Sequence, residues 1–143
     1  MVEQGIPETL RPFLEQLGAA LTAVANGDPA PMKALCSHGE DISQCGFWGG
    51  VDRGWAEVGP RWDWVAAQFV PGQGAVTSDP AFLTVAGDMA YGVFLERWQG
   101  RYPSRAEPVE LMIRATLIFR REGGAWKAVH RHGDGNVTKT PPS

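Results

Sequence analysis

Cysteine is scarce in this chain: two residues in 143, Cys36 and Cys45, with neither in a CxxC or other metal-ligand spacing. That argues against a disulfide framework and against a structural zinc site, and the pair reads as free thiols. No apolar run approaches the roughly 20 residues that span a bilayer, so no membrane partner is expected. The opening MVEQGIPETLRPF has acids where a secretory leader carries basic residues, and no apolar core follows. A cytoplasmic location is the expectation. The chain also lacks a glycine-rich phosphate loop, internal repeats and low-complexity tracts, so no organic cofactor is expected. Clustered positive charge is missing too. Residues 1–90 hold 4 basic and 11 acidic side chains and residues 91–143 hold 9 and 5, for a net charge of −3. The basic residues of the second half are dispersed along strand-like segments, which argues against nucleic acid and leaves room for an anionic small molecule.

What is present is a folded composition, 43% hydrophobic, at the length of one ordinary domain. The patterning places the core at about residues 8–134 and a flexible tail at 135–143. Leu10, Phe13, Leu14, Leu17, Leu21 and Val24 recur at helical spacing and predict a first helix, stopped by Asn26-Gly27. Asp28 is placed to cap a short second helix with Pro29 at its first position. Trp55, Val58, Trp62, Val65 and Phe69 step by three and four in a third, which Gly59-Pro60 is expected to kink or break. From about Gly74 the period changes to two. Strands are predicted at Ala81–Val85, Met89–Trp98, Val109–Arg121 and Trp126–His132, with hairpin signals at Gly87-Asp88 and Gly123-Gly124. Helices first and an antiparallel meander afterwards predict an α+β fold with the helices on one face of a curved sheet.

The segments ANGDPAPMKAL, FWGGVDRGWAEV, GDMAYGVFLERW and IRATLIFRREGGAWKAVHRHGD, in that order and spacing, resemble the SnoaL-like branch of the nuclear-transport-factor-2-like superfamily. That superfamily also contains ketosteroid isomerase, polyketide cyclases and scytalone dehydratase. The resemblance implies a cystatin-like cone: a curved antiparallel sheet wrapped around three N-terminal helices, with one apolar pocket and pairing into a homodimer. Neither the aspartate–tyrosine pattern of ketosteroid isomerase nor the Asp-Arg-Asp constellation of limonene-epoxide hydrolase is evident in the chain.

Candidate site residues follow from hairpin register. A two-residue turn at Gly123-Gly124 sets Phe119 opposite Ala128, Leu117 opposite His130, Ala115 opposite His132 and Ile113 opposite Asp134. This puts His130 and His132 on the drier face, in a ligand pocket. Arg114 stays unresolved, because a bulge near the turn would move it to the histidine side. Ile118, Val129 and Thr116, ringed by Arg120, Lys127 and Arg131, would form the outer, dimer-facing patch. Three readings of the histidines stay open: structural, binding or proton transfer, and a metal site with Asp134. The metal reading is disfavoured because one strand would supply every ligand. Glu96, the only acid inside its strand, is either a solvated carboxylate or a buried general base. Trp48, Trp62, Phe69, Phe94 and Trp98, with Arg114 and Asp134, are the candidate ligand-binding residues. Two functions compete. One is an isomerase, cyclase, dehydratase or hydrolase acting on a small hydrophobic cyclic molecule through His130, His132 and Glu96. The other is a non-catalytic ligand-binding or dimerisation module.

Overall fold

The first helix, α1 (Leu10–Val24), forms on its apolar stripe: Leu10, Phe13, Leu17, Leu21 and Val24 are buried, and Leu14 is partly covered. The computed structural model describes residues 7–143. Asn26 ends α1 and fastens it to the sheet. Its side chain donates to Gly74 O (3.0 Å) and accepts from the N–H groups of Gly72 and Gly74 (2.9 Å each). In α2 (Ala30–Leu35), Asp28 Oδ1 accepts from Ala30 N–H at 3.0 Å, and Pro29 takes the cap position. The third helix, α3 (Gly54–Ala66), runs through Pro60 without a break, contrary to one of the two outcomes expected there. Val58, Trp62 and Ala66 are buried on either side of the proline, so packing holds both halves in one helix despite the lost hydrogen bond.

Six strands form one curved sheet: β1 (Ser43–Cys45), β2 (Asp52–Arg53), β3 (Ala75–Ala86), β4 (Met89–Gly100), β5 (Val109–Glu122) and β6 (Ala125–Asp134). Their spatial order is β2-β1-β6-β5-β4-β3. The sheet is mixed rather than wholly antiparallel, because β1 lies parallel to β6. These two strands come from opposite ends of the chain, so no hairpin dictates their relative direction. β3 is an edge strand, where Pro80 forfeits no ladder bond on its open side, and a bulge follows at Ala81. No helix among the described residues is long and apolar enough to cross a membrane.

The β5–β6 hairpin decides which side chains meet the core. Gly123 and Gly124 both have positive φ (56° and 83°), the conformation of a tight two-residue turn. The first pairs match the expected register, from Glu122 with Ala125 to Phe119 with Ala128. Val129 is then an extra residue: Ile118 pairs with His130, Leu117 with Arg131, Thr116 with His132 and Arg114 with Asp134. Ala128 and Val129, adjacent in sequence, are both buried. The chain end of α2 docks at this irregularity, with Ser37 N–H donating to Ala128 O at 2.9 Å and Lys127 Nζ to Ala34 O at 2.9 Å. One inserted residue reverses the facing of everything after it.

Candidate functional site

The bulge at Val129 corrects the expected site. His130, His132 and Asp134 lie on the outer face of the sheet with Arg114, Thr116 and Ile118, and Arg131 points inward. His130 is half-buried, and its Nδ1 lies 2.8 Å from Ser43 Oγ. Burial pushes its pKa down, His132 adds to that, and the contact with Ser43 opposes it. His132 is exposed. Asp134 accepts two bonds from Arg114, at 3.0 and 2.8 Å, and this pair sits in solvent on the outer side, away from the pocket. Arg114 holds the Asp134 carboxyl below the usual range. Among the described residues no three His, Cys, Asp or Glu side chains are placed to hold a metal ion.

The buried charged groups on the inner face, among the described residues, are Glu96 of β4 and Arg131 of β6. Glu96 is fully buried and Arg131 is 7% exposed. Arg131 Nη1 donates to Glu96 Oε2 at 2.8 Å and Nη2 to Oε1 at 2.6 Å, a bidentate fork, and Trp98 Nε1 donates to Oε1 at 2.9 Å. Burial works to lower the Arg131 pKa, and the Glu96 carboxylate outweighs it, so the net direction is upward. Glu96 is thus inward as one reading required, but its carboxylate is occupied by three donors. A general base needs a lone pair aimed at a substrate proton, and this one has its oxygens engaged. The guanidinium also lies 5.8 Å from the Trp62 ring centre.

Above this pair lies a partly enclosed cavity of about 30 Å³, whose walls include Gln44, Phe47, Trp48, Arg61, Trp62 and Trp98. Gln44 shares the inner face with Arg131 because β1 pairs with β6 in parallel register. Arg61 Nε lies 2.9 Å from Asp52 Oδ2, out of line for a hydrogen bond, so that contact is a charge pair. Trp62 is 2% exposed, and its Nε1 makes no well-formed hydrogen bond, with the soft Cys36 sulfur beside it. Burial pushes the Cys36 thiol up to about 12 against the weaker pull of the Trp62 N–H, Arg131 and Lys127.

Of the residues picked from sequence, Trp48, Trp62 and Trp98 come together at this cavity. Phe69 packs behind them against Trp48, Trp98 and Tyr102. Phe94 is a core residue, set edge-on to Phe119. Sequence reasoning missed Gln44 and Arg61 and put Arg131 on the wrong face. The adjacent apolar pair Ala128-Val129, which breaks strict alternation before His130, is the one signal of the bulge that the sequence carries.

The SnoaL-like domain family model matches residues 14–133. No curated protein matches the sequence. Among solved structures, a nuclear-transport-factor-2-like protein from Salmonella enterica superposes with a TM-score of 0.73 at 16% identity, covering 92% of this chain and 96% of that one. A provisional dehydratase of the same superfamily from Streptomyces avermitilis gives 0.71 at 18% identity over 92% and 96%. A ketosteroid isomerase-like protein from Erwinia carotovora gives 0.72 at 13% over 93% and 100%. At these identities the likeness establishes the fold alone.

Proposed function

We propose that this chain, which belongs to the SnoaL-like domain family, is a small-molecule-binding protein that holds a hydrophobic ligand at the aromatic end of its cone without acid–base catalysis by its histidines. The observation that carries this reading is the Glu96–Arg131 fork: the fully buried Glu96 carboxylate is bound by two guanidinium nitrogens and an indole, while Asp52, opposite Gln44 on the same face, is charge-paired with Arg61. An isomerase or dehydratase needs a proton acceptor and a donor within reach of one point in the cavity. His130 and His132 are on the other side of the sheet. Aromatic walls with a few placed polar groups are what a binding pocket requires. N-phenyl-1-naphthylamine, a neutral dye that brightens in apolar surroundings, tests the binding. Saturable one-to-one binding is expected, together with no acceleration of the isomerisation of a β,γ-unsaturated ketosteroid. Absence of dye binding, or turnover abolished by Glu96→Gln or His130→Ala, would overturn it.

A homodimer through the outer sheet face belongs to the same proposal. Phe82, Met89, Tyr91, Leu95 and Met112 are each 40–46% exposed, and all but Phe82 lie on the outer face of β4 and β5. Of the patch expected from sequence, Ile118 and Thr116 do face outward, while Val129 and Arg131 are turned inward. Twofold pairing would cover this apolar surface. Light scattering should report a dimer at micromolar concentration and a monomer for Leu95→Glu; a monomeric parent protein would contradict this.

A further inference from the structure

The cavity of about 30 Å³ admits one or two waters, and no organic ligand. Directly outside it, across the Trp48 ring, is an open groove of about 570 Å³ walled by Trp48, Trp64, Gln68, Tyr102 and Pro103. That volume is in the range of small-molecule sites. Trp48 is common to both spaces and to a third recess formed with Gly49, Gly50, Arg61 and Trp64. Resting on the small-molecule reading above, we infer that groove and cavity are one binding site for a planar aromatic molecule bearing an anionic oxygen, with Trp48 as the movable wall between them.

Three observations converge on that ligand class. First, the wall is partly exposed and is followed by two glycines. Trp48 is 38% exposed and sits in a turn closed by Gly49 N–H to Gly46 O (3.0 Å). Gly49 and Gly50 that follow it have φ of 94° and 86°, and the space beside Gly49 is open. Second, the rings around it suit a flat guest. Trp64 and Tyr102 meet Trp48 edge-on at centroid distances of 5.8 and 6.3 Å, and Phe69 lies beneath at 6.1 Å. Third, every polar side chain on the inner wall (Gln44, Arg61 and Arg131) can donate, and two of the three are guanidiniums. Their carboxylate partners, Asp52 and Glu96, are not on that wall. Arg61 abuts the turn so closely that a Cβ on Gly50 would stand 2.5 Å from its Nη2, and its guanidinium lies 5.3 Å from the Trp64 ring centre. A guest stacked in the groove with its oxygen directed inward meets these donors first.

The test compares two dyes of similar shape: 8-anilinonaphthalene-1-sulfonate, which is anionic, and the neutral N-phenyl-1-naphthylamine. Titrations use the parent protein, Trp48→Ala, and the charge-neutral double variant Asp52→Asn/Arg61→Gln, each checked by circular dichroism. The parent should bind the sulfonate at least about tenfold more tightly than the neutral dye. The double variant should lose that preference, and Trp48→Ala should weaken both dyes about fivefold or more. Equal affinity for the two dyes in the parent, or a preference that survives in the double variant, would overturn the anionic-ligand inference while leaving the binding function standing. Failure of the neutral dye to bind would overturn the hydrophobic-ligand function itself, whatever the sulfonate does. If the double variant does not fold, Trp48→Ala decides alone: unchanged affinity for the sulfonate there places its site elsewhere and overturns the inference.

Discussion

Arg131→Met removes two of the three donors on a carboxylate that has no exposure to solvent, leaving Glu96 with the Trp98 N–H. Breaking a buried pair in this way costs about 3–5 kcal/mol, because the remaining charge stays desolvated and uncompensated. At about 3 °C per kcal/mol for a domain of this size, the melting temperature should fall by roughly 10–15 °C. The informative comparison is the double variant Glu96→Met/Arg131→Met. It leaves no charge behind and loses mainly the Trp98 hydrogen bond, about 1–3 kcal/mol. It should therefore be at least as stable as Arg131→Met alone, and urea unfolding followed by tryptophan fluorescence would read the difference. If the losses of the two single variants simply add in the double variant, the pair is not energetically coupled. The argument that Glu96 is committed to Arg131 would then fail.

The remaining predictions concern the thiols, the outer histidine and the outer ion pair. Cys36 is 5% exposed and its thiol is pushed up to about 12, whereas Cys45 is half-buried, so a disulfide reagent at neutral pH should label one thiol per native chain and two after unfolding. Rapid labelling of Cys36 in the folded protein would contradict this. Because the His130 pKa is lowered from 6.5, the unfolded chain takes up the proton more readily. His130 therefore contributes stability that is present above that value and is lost as pH falls below it. Urea midpoints should decline between about pH 7 and pH 5, and the decline should be shallower in His130→Gln. Arg114→Gln breaks an exposed, solvent-screened pair and should leave the urea midpoint nearly unchanged, with no change in dye binding. A large loss of dye affinity would return Arg114 to the ligand site.

Periodicity made the helices legible, since Leu10, Phe13, Leu17, Leu21 and Val24 have no alternative to one buried stripe. The glycine pair at 123–124 likewise specified its hairpin and the first pairs beyond it. What alternation could not carry was the residue inserted at Val129, because a bulge is stabilised by its surroundings. Here the Ser37 backbone, just past α2, bonds to β6, and the Lys127 side chain of β6 bonds to the α2 end, across about ninety residues of sequence separation. The error then propagated with period two: it exchanged His130 and His132 for Arg131 and left Glu96 without its visible partner. The tryptophans survived the error because they come from α3, β4 and the turn before β2, none of which depends on that register. Gln44 was hidden for a different reason, in a three-residue strand whose facing is set by parallel pairing with β6.

Indole N–H resonances in a ¹H–¹⁵N spectrum test the central claim most directly, since the six tryptophans report separately on the cavity, the groove and the rest of the fold. During titration with 8-anilinonaphthalene-1-sulfonate, the signals of Trp48, Trp62, Trp64 and Trp98 should move and saturate together, while Trp126 and the backbone amides of His130 and His132 stay in place. Shifts confined to His130, His132 and their outer-face neighbours, with the cavity tryptophans unmoved, would contradict it.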